Sequence, residues 1–101
     1  MEKEIYDKKA NIFKALSDSN RLQIIDMLSC GEMCACNILE KFNITQPTLS
    51  HHMKVLSEIG LVNSYKDSSW MRYSLNKEKF KELENFIAYI STSKEKCICK
   101  K

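Results

Sequence analysis

The sequence predicts a mainly α-helical fold closed by one β-hairpin, in the order α-α-α-α-β-β-α. Three observations lead there. Two glycines and one proline in 101 residues leave few breaks, so most of the chain can run as helix with short joints. Apolar residues recur at spacings of three and four along most of its length, which is the helical signature. Between residues 61 and 75 the period changes to two, the period of a strand. A single domain is expected over residues 1–93, with a flexible cysteine-containing tail over 94–101.

The first helix covers residues 3–16, where Ile5, Ile12, Phe13 and Leu16 fall at roughly helical spacing. The cluster Ser17-Asp18-Ser19-Asn20 caps a second helix, in which Leu22, Ile25 and Leu28 follow at steps of three. Gly31 stands where a helix end favours glycine. A short third helix spans about 34–42, with Ile38, Leu39 and Phe42 inward, and a tight joint, Asn43-Ile44-Thr45, follows it. Thr45 can cap a fourth helix running to Gly60, with Pro47 in its first turn, where a missing N–H costs nothing. "LVNSYK" and "WMRYSL" alternate around "DSS" and read as a hairpin, with Met71, Tyr73 and Leu75 on one face and Trp70, Arg72 and Ser74 on the other. Asn76 opens a last helix striped by Phe80, Leu83, Phe86, Ile87 and Ile90. A short helix, a tight turn, a longer polar-faced helix and a hairpin form the winged helix-turn-helix arrangement, and this is where a DNA-binding reading begins.

Composition narrows the setting. An apolar content of 44% with nine aromatics (four Phe, four Tyr, one Trp) is enough for a real core. No apolar run approaches the ~18 residues of a membrane span, and MEKEIYDKK has no signal-peptide core. A cytoplasmic, reducing location is expected, with Cys30, Cys34, Cys36, Cys97 and Cys99 as thiols. The net charge of +3 implies no polyanion by itself, but it is unevenly distributed. Residues 1–40 carry five Lys/Arg against seven Asp/Glu, residues 41–74 four against two, and residues 75–101 seven against four. The basic excess thus follows the acidic part, as for a surface facing phosphates.

In the fourth helix, at about 100° per residue, Leu49, Met53 and Leu56 form the inward stripe. Pro47, His51, Lys54 and Glu58 take the opposite face, Ser50 one flank, and Gln46 and Thr48 the exposed first turn. Short polar side chains at a helix N-terminus suit a major groove, where they approach phosphates and base edges. The competing reading is a plain solvated helix face. Lys66 and Arg72 in the hairpin, within reach of backbone phosphates, tip the balance toward DNA. His52, nearer the core direction, is read as a packed, hydrogen-bonded structural residue, and His51 as the DNA candidate.

These residues also resemble a known family. "ALSDSNRLQIIDML", "MCACNILEKFNITQPTLSHHMKVLSEIGLV" and "SSWMRYSL" together are similar to the ArsR/SmtB metal-sensing repressors, over roughly residues 12–75. The resemblance implies a homodimer joined by its first and last helices, with Ile5, Ile12, Phe80, Leu83, Ile87 and Ile90 at the interface. It implies a repressor that binds double-stranded operator DNA and leaves it when metal arrives. "MCACN" looks like the C-x-C box that the family's arsenic- and cadmium/lead-type sensors carry at the start of the third helix, which makes Cys34 and Cys36 metal-ligand thiolates. Two sulfurs on one soft ion must lie within about 4 Å of each other. Residues i and i+2 of a regular helix point about 200° apart, so the first helical turn is expected to loosen on binding. The bland alternative is a pair of small, buried, inert cysteines.

The chain departs from the family patterns. The third cysteine of the arsenic type is replaced by Leu39, residues 1–16 have no cysteine of the cadmium/lead type, and the last helix has no His of the zinc type. Cys97 and Cys99 form a second C-x-C, flanked by lysines that favour thiolate, and are the expected additional ligands. Cys30 is read as structural. As(III) or Sb(III) is the favoured inducer because thiolates are the evident ligands, followed by Cd(II), Pb(II) or Zn(II). A thiol redox or persulfide switch on the same DNA-binding module stays open. A thiol enzyme is disfavoured, since there is no C-x-x-C on a βαβ pattern and neither histidine has an evident acid-base partner. A small metal carrier would not bind a specific DNA site. No small organic substrate is expected.

Overall fold

Along residues 2–94, the part of the chain that the computed structural model describes, the elements are α1 (Lys3–Leu16), α2 (Ser19–Leu28), β1 (Met33–Cys34), α3 (Ala35–Lys41), α4 (Gln46–Glu58), β2 (Val62–Asp67), β3 (Trp70–Leu75) and α5 (Lys77–Ser91). The expected order is present, with one addition, the two-residue strand β1.

Three helix starts are set by the residues that the sequence singles out. Asp18 accepts hydrogen bonds from the N–H groups of Asn20 and Arg21 at 2.8 and 3.2 Å. The Arg21 N–H above all holds the Asp18 carboxyl below the usual carboxylate value. Thr45 Oγ1 accepts from the Thr48 N–H at 3.3 Å, and Asn76 Oδ1 from the Lys79 N–H at 3.2 Å. Each cap satisfies amides that the first turn leaves without partners, worth about 1 kcal/mol. Asn76 Nδ2 also donates to the Gly60 carbonyl at 3.0 Å, tying the start of α5 to the end of α4. The fourth helix stops at Glu58 rather than Gly60. Gly60, at φ +85°, takes the left-handed turn that releases the chain into β2.

The core lies between α2, α3, α4 and the inner face of the sheet. Ile24, Ile38, Leu49, Met53, Leu56 and Leu61 are almost completely enclosed, and α1 and α5 close over them through Ile12 and Leu83. In α2 the inward pair is Ile24 and Leu28, four apart, while Leu22 is 51% exposed. The expected steps of three thus drift off the buried face, because 3.6 residues per turn favours the i, i+4 pair here.

The sheet has the order β1-β3-β2, antiparallel throughout. Strand β3 is central. It pairs with β2 from Val62↔Leu75 to Asp67↔Trp70, and with β1 at Met33↔Tyr73 and Cys34↔Arg72. The hairpin turn is Ser68-Ser69, where Ser68 adopts φ +59° in place of the glycine a tight turn would favour. Tyr73 is buried, so Met71, Tyr73 and Leu75 face the core as the alternation predicts.

Candidate nucleic-acid interface and cysteine pair

Helix α4 is anchored by its buried side, Leu49, His52, Met53 and Leu56. That anchoring turns Gln46, Thr48, Ser50, His51 and Lys54 outward, all exposed, as the helical wheel predicts. Lys66 is exposed on the hairpin. Ser50 and Lys54 of α4 line one groove with Ser64 and Met71 of the hairpin, on the sheet face that Lys66 shares, whereas Arg72 stands on the other face of β3. Arg72 is not a free cation: its Nε donates to Glu32 Oε2 at 2.9 Å, and its Nη1 lies 3.8 Å from Asp67 Oδ2. The sequence offers no signal for the Glu32 contact, which joins residues forty positions apart.

His52 holds α4 to the rest of the domain. It is 6% exposed, and its Nδ1 lies 3.1 Å from Arg21 Nη1. A guanidinium only donates, so Nδ1 is the acceptor and the ring is neutral. Burial pushes the His52 pKa below the ordinary histidine value. Asp18 pulls it upward, and Arg21 and His51 add to the lowering. The Arg21 Nε also donates to the Ala15 carbonyl, so this one side chain links α1, α2 and α4. The packed, hydrogen-bonded role expected of His52 is the one it has.

The cysteine pair corrects two expectations. Cys34 and Cys36 are joined as a disulfide, not held as separate thiols, with their Cα atoms 5.3 Å apart. Nor do they point to opposite sides of a helix. Cys34 lies outside α3, in the extended backbone of its N-cap (φ −83°, ψ 157°), and ends β1, while Cys36 sits in the first turn of α3. A strand residue followed by a helical one breaks the 200° relation of two helical positions, and the Cα separation falls within the usual disulfide range. The turn need not loosen for the two sulfurs to meet. Cys34 is 5% exposed and Cys36 half-buried, so the pair opens outward on the Cys36 side.

Reduced, two adjacent thiolates suit a thiophilic ion and leave it short of ligands. Among the described residues, no three His, Cys, Asp or Glu side chains are grouped closely enough to hold one metal ion. Leu39, in the place of a third cysteine, is half-buried against the core. Cys97 and Cys99 lie outside the described residues. Cys30, read from the sequence as structural, is exposed and free, and Gly31, at φ +138°, turns the chain between it and β1.

The dimer candidates divide. Ile12 and Leu83 are buried in the chain's own core, and Phe80 packs partly against it. Ile5, Ile87 and Ile90 are 39, 45 and 49% exposed, an apolar surface on α1 and α5 that the described residues leave open.

Residues 18–64 match the family model described as bacterial regulatory protein, arsR family. The chain is similar to an arsenical resistance operon repressor of Staphylococcus aureus, with 47% identity over 95 residues, 94% of this chain and 91% of that protein. Its fold is similar to that of an ArsR-like transcriptional regulator from Rhodococcus sp. RHA1, with a TM-score of 0.76, 24% identity, and coverage of 86% of this chain and 82% of that one. It is also similar to a homodimeric winged helix-turn-helix DNA-binding domain from Mycobacterium bovis, solved by solution NMR, with a TM-score of 0.71, 26% identity, and coverage of 87% and 82%.

Proposed function

The chain belongs to the ArsR family of bacterial regulatory proteins, and from that premise we propose that it is a homodimeric repressor that releases operator DNA when As(III) or Sb(III) is captured by Cys34 and Cys36. It is a DNA-binding regulator and not an enzyme. The observation that carries the ligand reading is the meeting of the two sulfurs where β1 passes into α3. That junction lies directly beside β3 of the wing on one side and leads through α3 to α4 on the other. Soft, trivalent, thiophilic ions fit a site made of sulfur alone. Capture needs the pair as thiols, so reduction of the disulfide precedes it. Cys97 or Cys99 supplies the third sulfur in this reading, from the same chain or its partner. Helix α4 enters the major groove through Gln46, Thr48, Ser50 and His51, while Lys54, Lys66 and Arg72 engage phosphates. The relative at 47% identity, named for arsenical resistance, supports the choice of inducer. Zn(II) or Cd(II) favours four ligands and is the lesser fit, and Pb(II), which three sulfurs can hold, stands behind As(III) and Sb(III) on the arsenical-resistance relative alone.

The disulfide favours a second reading, in which oxidation of the same pair is the signal and no metal is needed. Fluorescence anisotropy of labelled upstream DNA separates the two. Arsenite added to the reduced protein should release the DNA, whereas Cys34→Ser and Cys36→Ser should still bind it and no longer let go. Release of DNA from the Cys34→Ser variant at the wild-type arsenite concentration would overturn the assignment. Release on oxidation alone, with reduced protein indifferent to arsenite, would establish the second reading in its place.

A further inference from the structure

Among the described residues, one side-chain hydrogen bond joins α2 to α4: Arg21 Nη1 donates to His52 Nδ1 at 3.1 Å. The same guanidinium donates through Nε to the Ala15 carbonyl in the last turn of α1, and its Nη1 lies 3.9 Å from Asp18 Oδ2. The Arg21 side chain is 14% exposed and His52 is 6% exposed, so water competes little for the contact. The rest of the buried side of α4 is Leu49, Met53 and Leu56, and apolar packing is non-directional. That stripe holds the helix down. The Arg21–His52 bond, which is directional, fixes how the helix is turned on the stripe, and with that the face carrying Ser50 and His51.

The chemistry of the ring makes this bond conditional. Nδ1 accepts, so Nε2 carries the ring's one proton and Nδ1 holds its free lone pair. A second proton can bind only at Nδ1. It removes the acceptor and sets an imidazolium against a guanidinium at hydrogen-bond distance. Burial above all holds the His52 pKa below the ordinary histidine value; Asp18 raises it, and Arg21 and His51 lower it further, so the contact is closed at neutral pH. Beside Arg21, the exposed Lys14 of α1 and Glu58 of α4 line the same groove.

We propose that Arg21 is a positioning residue for DNA binding: it sets the pose of α4 through His52 Nδ1, and acidification releases DNA by placing a proton on that atom. The repressor then has a second input that does not pass through the cysteines. The inference rests on α4 as the helix that enters the groove. A proton shifts the equilibrium because it binds the released pose more tightly than the clamped one. One proton taken up on release makes log Kd rise by up to about one per pH unit. His51 works the other way, since its protonation adds an exposed cation on the face that meets phosphates. The chain has two histidines, so replacing each in turn separates the two effects.

Fluorescence anisotropy of labelled upstream DNA, at constant salt and without arsenite, gives Kd from pH 7.5 to 5.5 for the wild type, His52→Asn, His51→Asn and Arg21→Met. Asparagine places an oxygen acceptor near the position of Nδ1 and does not titrate. His52→Asn should match the wild type at pH 7.5 and bind about three-fold more tightly than it at pH 5.5, within the limit set by one proton. His51→Asn should steepen the weakening in acid. Arg21→Met should bind more weakly than the wild type at pH 7.5 and change less with pH, with circular dichroism reporting the fold at each pH. A contact that only stabilised the fold would move the melting temperature and leave the profiles of wild type and His52→Asn parallel. Parallel profiles overturn the proposal, whether or not Arg21→Met folds. Ser50→Ala is the control for α4. If it and His51→Asn leave Kd unchanged at every pH, α4 is not the helix in the groove and the clamp falls with that reading. If they alter Kd while wild type and His52→Asn stay parallel, the clamp alone falls.

Discussion

Replacing Ile87 and Ile90 together by alanine tests the proposed dimer with a magnitude that the structure sets. In the single chain these side chains are 45 and 49% exposed, so about half of each remains to be buried by a partner. Complete burial of an isoleucine is worth roughly 2 kcal/mol, so the uncovered half is worth about 1 kcal/mol per residue. A two-fold interface uses the same patch twice. Two residues on two protomers then amount to about 4 kcal/mol, or a dimer dissociation constant weaker by roughly a thousand-fold. The fold of each chain should survive, because α5 keeps Leu83 and Phe86, at 5 and 9% exposure, as its inward anchors. Sedimentation equilibrium over a wide concentration range gives the constant, and far-ultraviolet circular dichroism reports whether the helices persist. DNA binding should weaken in parallel, because two linked α4 helices engage two half-sites. A variant with the wild-type dissociation constant would refute the reasoning, and place the interface elsewhere than on the exposed side of α5.

Two further outcomes follow from the surface and from the buried histidine. Lys54→Ala and Lys66→Ala should each weaken operator binding broadly and reduce the slope of log K against log salt by about 0.9, one phosphate contact apiece; unchanged slopes would remove those residues from the interface. Since burial holds the His52 pKa below its unfolded value of about 6.5, the unfolded chain takes up the proton more readily. The stability owed to the neutral ring should be complete above about pH 6.5 and decline as pH falls toward the folded value; melting temperatures from pH 7.5 to 5 for wild type and His52→Gln would reveal it, and parallel curves would argue against a buried neutral ring.

Local chemistry carried most of the fold and one half of the candidate site. Asp18, Thr45 and Asn76 start helices because a side-chain oxygen meets amides two or three residues away, a relation written wholly in neighbouring residues. The outward set on α4 and the inward Met71, Tyr73 and Leu75 follow from the helical and strand periods alone. Periodicity could also mark the stripe of α5, and it was right about Leu83 and Phe86. It could not say that the described residues leave Ile87 and Ile90 about half exposed, since that depends on how the helices pack together.

Tertiary structure decided the rest. Strand β1 is two residues long and has no pattern of its own: it exists because Met33 and Cys34 find the open edge of β3. That pairing takes Cys34 out of the helix, brings its sulfur to Cys36 and sets Cys34 opposite Arg72. The same pairing turns Arg72 from a free cation into the partner of Glu32. Both changes come from hydrogen bonds between backbone segments some forty residues apart, and a contact of that range is specified by the packing of the whole domain, where no short stretch of sequence records it.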